Sequence, residues 1–440
     1  MDVDTSRPVP SEPVIGDVER FLQDAIAQMR PDRVEMERSG RGKPRVLPSL
    51  ALWAGLLLCV LRGFSSKLEL WRLLNSGQFW FYPRFPVTDE AVYDRLKRAG
   101  TAPMEGLFQQ ITSLLHDRLA PFVQKDLAPF ASEVVALDQT ALDPIARKLP
   151  ALRGVPKGDK RLLPGKLAGL FDLRRQQWAR VEYIPDPDQN EKVAARGMVA
   201  GLAKGALILA DLGYFGFAWF DHLTDQGHWW ISRLRSKTSY TVIHVLYQDG
   251  ETFDGVVFLG AHRADQAAHA VRLVRFRVDN TLYSYVTNVL DPGVLSIHEI
   301  ARLYARRWDI ELAVNLVKTH LGLHLLWSTK DVTIVQQVLA VLIISQILMA
   351  LRMEIAGRAQ ADPFEVSMEL LVRHLPQYAY TGRDPVAAFV SMGRELRLIR
   401  PSTRTVIRAP SVPLDQINPL PPDLTLLRKA RYANRKCGPR

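Results

Sequence analysis

At 440 residues, with 47% hydrophobic and 23% charged side chains, the chain is built like a folded globular protein of more than one domain, which excludes a disordered one. Its formal net charge of +11 and pI near 9.6 favour a polyanionic partner, either nucleic acid or an anionic membrane. Two cysteines, Cys59 in an apolar run and Cys437 in a basic tail, suggest neither a disulfide framework nor a zinc site and fit a reducing cytoplasm.

The opening MDVDTSRPVPSEP is acidic and proline-bearing, without a signal-peptide pattern. The segment to Leu127 reads as helical. DVERFLQDAIAQM has helical spacing and SLALWAGLLLCVLRGF is a buried-helix run. VTDEAVYDRLKRAG starts at an N-cap, Thr88, and stops at Gly100. The glycine-containing basic loop RSGRGKPR between the first two helices is either a phosphate-backbone contact or a solvated linker. Two apolar runs need weighing as membrane spans. Leu50 to Leu61 is too short, and Ile334 to Leu351 is interrupted by Gln336, Gln337, Ser345 and Gln346. Both read as buried core helices, and no membrane partner is expected.

The period then changes. EVVALDQTAL, KLAGLFDLRR and QWARVEYIPD are short runs rich in β-branched and aromatic residues, which predicts three neighbouring strands. NEKVAARGMVAGLAK is helical and leads through Gly205 into ALILADLGYFG, a fully apolar strand ending in an aspartate. FAWFDHLTDQ follows as a short helix and HWWISRLRS as a strand, so the order βββ-α-β-α-β predicts a mixed sheet with helices packed on it. TVIHVLYQ, GVVFLG, AVRLVRFRV and LYSYVTNV form a β-rich block before helices resume at Ser296. The last 40 residues are proline-rich and basic, which predicts an extended or mobile tail. These shifts divide the chain into a helical region, 1–127, the first part of an α/β core, 128–236, a β-rich insertion, 237–295, a helical remainder, 296–400, and the tail, 401–440.

The most informative stretch is YARRWDIELAVNLVKTHL. Wrapped as one helix at about 100° per residue, it places Tyr304, Arg307, Glu311 and Lys318 within an arc of about 60°, with Trp308 beside them. Leu303, Ile310, Val314, Val317 and Leu321 flank that arc on one side, and Leu312 and Leu316 on the other. A polar strip between two apolar flanks predicts a groove in a packed protein, not a solvated face.

Two aspartates end strands that read as buried on both faces. Asp138 follows VVAL and Asp211 follows ALILA, so both belong at the carboxyl edge of the sheet. If the strands are neighbours, the two carboxylates converge and Glu311 packs over the same edge. Three such carboxylates repel unless protonated or neutralised, and an all-oxygen set favours Mg²⁺ or Mn²⁺ over zinc. Two ions would activate a nucleophile and stabilise the leaving oxygen of an in-line phosphoryl displacement. Asp143, Asp172 and Asp221 read as turn or cap residues.

The spacing Y-x2-R-x3-E-x6-K, present as Tyr304, Arg307, Glu311 and Lys318, resembles the signature of bacterial insertion-sequence transposases of the insertion-sequence-four type. ALDQT and LADLGYFG resemble the contexts of that family's first and second catalytic aspartates, and the likeness covers roughly residues 130 to 350. The resemblance implies a ribonuclease-H-like mixed sheet with flanking helices, interrupted by a β-rich insertion between the second aspartate and the glutamate. It implies that Asp138, Asp211 and Glu311 bind two Mg²⁺ ions, with Mn²⁺ able to substitute. Tyr304, Arg307 and Lys318 would hold DNA phosphates, and Trp308 would face a displaced base, with Trp229 and Trp230 as competitors. Related sequences often carry Arg after the second aspartate, where this chain has Leu212.

The function implied is a cut-and-paste DDE transposase that cuts at terminal inverted repeats, passes through a hairpin and joins the ends to target DNA. The helical N-terminal segment would help bind that DNA, and the protein would act as a homodimer in the bacterial cytoplasm at the nucleoid. The alternatives are a transposase-derived DNA-binding protein without catalysis and a two-metal nuclease without strand transfer.

Overall fold

The computed structural model describes residues 17–29, 46–77, 79–142, 164–261, 265–381, 383–402, 404 and 406–432. Among the described residues five helices come first: α1 Val18–Ala27, α2 Ser49–Leu61, α3 Lys67–Ser76, α4 Asp89–Ala99 and α5 Ala102–Arg118. Their ends carry the expected chemistry. The Asp17, Ser66 and Thr88 side chains accept from backbone N–H groups of the first turns, and α4 stops at Gly100, whose φ of +69° suits glycine. RSGRGKPR and the opening MDVDTSRPVPSEP lie outside the described residues.

The sheet has nine strands in the order β3-β2-β1-β4-β5-β9-β8-β7-β6. Strands β1 Val134–Ala141, β2 Lys166–Asp172 and β3 Gln177–Ile184 form an antiparallel meander. Helix α6 Glu191–Val199 returns the chain to β4 Leu207–Ala210, parallel to β1, and α7 Phe217–Asp225 returns it to β5 Trp229–Arg233, parallel to β4. The order 3-2-1-4-5, antiparallel then parallel, is the mixed sheet that the βββ-α-β-α-β reading predicted, in the ribonuclease-H-like form that the resemblance implied. Strands β6 Tyr240–Asp249, β7 Thr252–Leu259, β8 Val271–Val278 and β9 Thr281–Thr287 form the β-rich block. This block continues the same sheet, because β9 pairs antiparallel with β5.

The two faces of the sheet bury separate cores. Val135, Leu137, Ile208 and Ala210 face a core containing α6 and α7. Val134, Ala136, Leu207 and Leu209 face the helices of the chain ends, including α8 Ile297–Arg306, α9 Trp308–Asn315 and the long α10 Asp331–Ala359. Helix α10 is long and apolar enough to cross a membrane, yet it lies almost wholly inside the protein. Its glutamine interruptions are cross-links, while Ser345 bonds the Leu342 carbonyl of its own helix. Gln336 donates to the Leu96 and Gly100 carbonyls at the end of α4, at 2.8 and 2.7 Å. Gln346 accepts from the Trp178 N–H at 2.8 Å and donates to its carbonyl at 3.0 Å, tying α10 to β3. Helices α11 Met368–Thr381 and α12 Pro385–Met392 complete this layer.

The tail is extended, as expected, and its described part packs against the sheet. Asn418 bonds the Leu246 carbonyl through its N–H at 2.8 Å and the Val245 carbonyl through its side chain at 3.0 Å, so it covers part of the β6 edge. Ile417, Leu420 and Leu424 pack on a small core of Leu246, Val256 and Phe258. Residues 427 and 431 bridge to His269 and Gln266. An edge strand offers unpaired backbone groups, and a proline-rich extended segment satisfies them without forming a helix. Cys437 lies outside the described residues; Cys59 is buried in α2.

Candidate active site

The β1–β4 pairing runs in register from Val134↔Leu207 to Leu137↔Ala210. Asp138 and Asp211 are the next residues on each strand, and Asp211 keeps extended backbone angles, φ −73° and ψ 168°. Alternation therefore turns both side chains to the face of Ala136 and Leu209, the face covered by α8 and α9. Neighbouring strands lie about 4.8 Å apart, so this register alone brings the two carboxylates close together. Across from Asp138 on β2 is Gly169, where a Cβ would fall 2.6 Å from the Trp178 ring. The missing side chain lets Trp178 fill the site's flank.

The wall from Tyr304 to Leu321 differs from the single helix expected. Helix α8 ends at Arg306, α9 starts at Trp308, and residues Leu316–His320 form a π-turn closed by Leu321 N–H to the Leu316 carbonyl at 2.9 Å. The break at Arg307 is tightened by its N–H bonding the Tyr304 carbonyl, three residues back, at 3.1 Å. A second difference concerns the apolar flanks: Leu316 is buried, but Leu312 is 45% exposed, so only one flank is sealed.

Within this wall the residues do meet the sheet edge. The Tyr304 hydroxyl points at the Ala210 carbonyl, 3.5 Å away, immediately before Asp211. The Lys318 ammonium donates to the Ala141 carbonyl at the end of β1. Arg307 is buried, pairs with Glu311 at 2.8 Å, and lies over the Tyr304 and Trp308 rings with centroids 5.9 and 5.3 Å away. Trp308 is 57% exposed, whereas Trp230 is sealed in the opposite core, stacked on Phe220 at 4.2 Å. Trp229 is half-buried, edge-on to Phe130. Among the three tryptophans considered, Trp308 has the most open face.

Each carboxylate has a protein donor. Asp138 accepts from the Gln139 N–H at 2.8 Å, Asp211 from the Leu212 N–H at 2.6 Å, and Glu311 holds Arg307. Among the described residues, no group of three or more His, Cys, Asp or Glu gathers closely enough to hold a metal ion as the side chains stand. The donor chemistry nevertheless suits a hard divalent cation. Burial pushes the Asp138 carboxyl up to about 6, the Gln139 N–H and Arg307 oppose this, and the charges of Glu311 and Asp211 add to the rise. Asp138 thus senses both other carboxylates across the sheet edge.

That shift has a stability consequence of definite sign. The folded protein holds the Asp138 proton more tightly than the unfolded chain, whose Asp titrates near 3.9. Stability is therefore greatest below about pH 4 as far as this group is concerned, and falls as pH rises through about 6. We expect Asp138→Asn to stabilise the fold by about 2–3 kcal/mol above pH 7 relative to wild type, and by nothing near pH 4. Denaturant titrations at the two pH values measure it. An equal difference at both would show that Asp138 carries no buried charge.

Sequence reasoning passed over a buried network behind the wall. Asp309, 1% exposed, takes Arg306 at 2.7 Å, Arg404 from the tail at 2.9 Å, and the Gln176 amide at 2.9 Å. Beyond the local Arg306, its partners arrive from 133 residues upstream and from the tail, where local sequence does not reveal them. Asp172 is a turn residue, as read, but Asp221 is not: it sits inside α7, buried, and holds a distant loop and the Tyr432 hydroxyl. Asp172 accepts from the Arg174 and Arg175 N–H groups, and Asp221 from those of Ala268 and His269. Asp143 lies outside the described residues.

Residues 155–347 match the family described as transposase DDE domain, a span that includes Asp211 and Glu311 and begins after Asp138. A putative transposase, y4zB, of Sinorhizobium fredii (strain NBRC 101917 / NGR234) is 25% identical over 199 residues. That match covers 41% of this chain, and the chain spans about 55% of the relative's length. A solved piggyBac transposase synaptic complex with hairpin DNA aligns over 92% of this chain and 85% of that one, at 10% identity and a TM-score of 0.40.

Proposed function

We propose that this chain, which carries a transposase DDE domain, cuts DNA at the ends of a mobile element and joins those ends to target DNA. The observation that carries the reading is the placement of Asp138 and Asp211 at adjoining parallel strand ends beneath the helical wall that bears Glu311. The family domain over residues 155–347 supports it independently. The spaced signature Tyr304, Arg307, Glu311 and Lys318 favours the insertion-sequence-four type.

Asp138, Asp211 and Glu311 would hold Mg²⁺, or Mn²⁺ in its place, once their carboxylates turn from their present donors. The ions, when bound, would neutralise the three charges, activate the attacking oxygen and stabilise the leaving one. The protein's own side chains do the rest. Arg307, freed from Glu311, presents a planar fork to a phosphate, and Lys318 presents a point charge beside β1. The Tyr304 hydroxyl adds a donor at the Asp211 end. Trp308 offers an exposed ring to a base displaced during hairpin formation. Terminal inverted repeats are the DNA recognised, and two copies of the chain hold a pair of ends.

Two rivals remain distinguishable. A nuclease without strand transfer would nick DNA and never join it. A non-catalytic DNA-binding protein would do neither. Incubating the protein with the element's terminal repeats, with and without Mg²⁺, tests all three. Mg²⁺-dependent nicks, and joined product from pre-cleaved ends, are expected. Nicks without joining would leave the nuclease, and intact DNA the binding protein.

A further inference from the structure

Asp211, Arg307 and Trp308 open onto a cavity of about 980 Å³ whose far reaches are formed by α10 and the tail segment near residue 400. The floor there is cationic. Arg306, Arg352 and Arg404 surround the Phe364 ring, with guanidinium carbons 5.4, 4.9 and 4.3 Å from its centre. Asp309 ion-pairs with Arg306 and Arg404. Arg352 forms no ion pair with a carboxylate among the described residues, though Asp309 acts on it from nearby. Arg352 is 6% exposed, donates to the Gln176 amide oxygen at 2.8 Å, and its Nε finds no partner among the described residues. Burial pushes its pKa down to about 10, as for a cation short of neutralising charge. Arg400 is held beside this cluster through its N–H to the Glu365 carbonyl at 2.9 Å, and its side chain is exposed.

The carboxylates of the same wall are engaged elsewhere. Glu369 pairs with Arg373 at 2.7 Å, and Glu365 closes a capping box with Asp362. A buried arginine with an unused donor, next to further guanidiniums and an aromatic face, is a built receptor for an anion that brings its own oxygens.

We propose that Arg352, Arg400 and Arg404 form a second phosphate site in this cavity, taking the backbone of an unpaired DNA strand on a wall separate from that of Arg307 and Trp308. The proposal rests on the DNA-processing reading but needs no chemistry from it. The ligand is a single strand because the cavity is of the size that engulfs small ligands, about 300–1,000 Å³, and a duplex does not enter such a space.

The test is fluorescence anisotropy of a labelled oligothymidine of about eight nucleotides, over a KCl series, with the full chain and no divalent metal. Arg400→Gln is the clean variant, because its side chain is exposed and its thermal midpoint should match wild type. It should weaken binding by about fivefold and reduce the slope of log K against log salt by about 0.7, the value for one single-strand phosphate. Arg352→Lys, which keeps charge but loses the fork, should also weaken binding. Wild-type affinity and slope in both variants would overturn the proposal, as would an equal loss measured on a duplex of the same length. An effect seen only with 5′-phosphorylated oligonucleotide would overturn the assignment to the strand's interior. Metal-dependent nicking could survive all three of these results, so failure here and failure of the transposase reading are separate.

Discussion

Replacing Asp138, Asp211 or Glu311 by alanine is expected to reduce Mg²⁺-dependent nicking at least about a thousandfold in each case. Charge stabilisation by a catalytic metal is worth several kcal/mol, and about 1.4 kcal/mol corresponds to tenfold in rate. The losses should be similar and non-additive, since three ligands of one centre act as a unit. DNA affinity should change little, because the proposed phosphate contacts reside on Arg307, Lys318 and the cavity floor. Asp138 is the informative member, for it lies before the matched domain and is assigned from strand register. Full nicking by Asp138→Ala would remove it from the site while leaving Asp211 and Glu311 in place.

Asp309→Ala should give the largest loss of stability of any substitution near the site, about 3–5 kcal/mol. Its side chain is fully buried, and removing it leaves Arg306 and Arg404 facing each other around Phe364 with one carboxylate fewer. Breaking a buried pair by deleting one partner costs this much because the remaining charge has no compensation. The effect should spread to activity, because Asp309 anchors the first turn of α9, which carries Glu311. Denaturant unfolding measures the first effect and nicking the second. A change below about 1 kcal/mol would mean that Arg306 and Arg404 are solvated in a way their burial does not suggest.

Most of the sheet was legible because its strands are short, apolar and separated by glycine, proline or charge. VVALD and LILAD each announce a buried strand with an acid at its end, and a parallel pairing then brings the acids together. The long apolar run ending near Leu351 was legible as core because its glutamines are too polar for lipid; their partners, Leu96, Gly100 and Trp178, come from distant segments. What local pattern could not disclose is the break at Arg307. Helical periodicity from Tyr304 to Leu321 is continuous, while Asp309, just past the break, is held by Gln176 and Arg404 from distant parts of the chain. The tail's extended form was legible in its prolines, but its anchoring was not. Its composition matches a mobile segment, but Asn418 and Arg404 find partners that lie far off in sequence. Arg352 was hidden inside an apolar helix, where a lone cation at the end of a hydrophobic run reads as a boundary.

The central claim is that Asp138, Asp211 and Glu311 share a divalent cation, and Mn²⁺ binding followed by electron paramagnetic resonance tests it most directly. Wild-type protein titrated with Mn²⁺ should show loss of the free-ion signal at stoichiometric metal, reversed by excess Mg²⁺. Asp138→Ala, Asp211→Ala and Glu311→Ala should each weaken that binding while folding normally. Wild-type binding in all three folded variants, or no binding by the wild type, would contradict it.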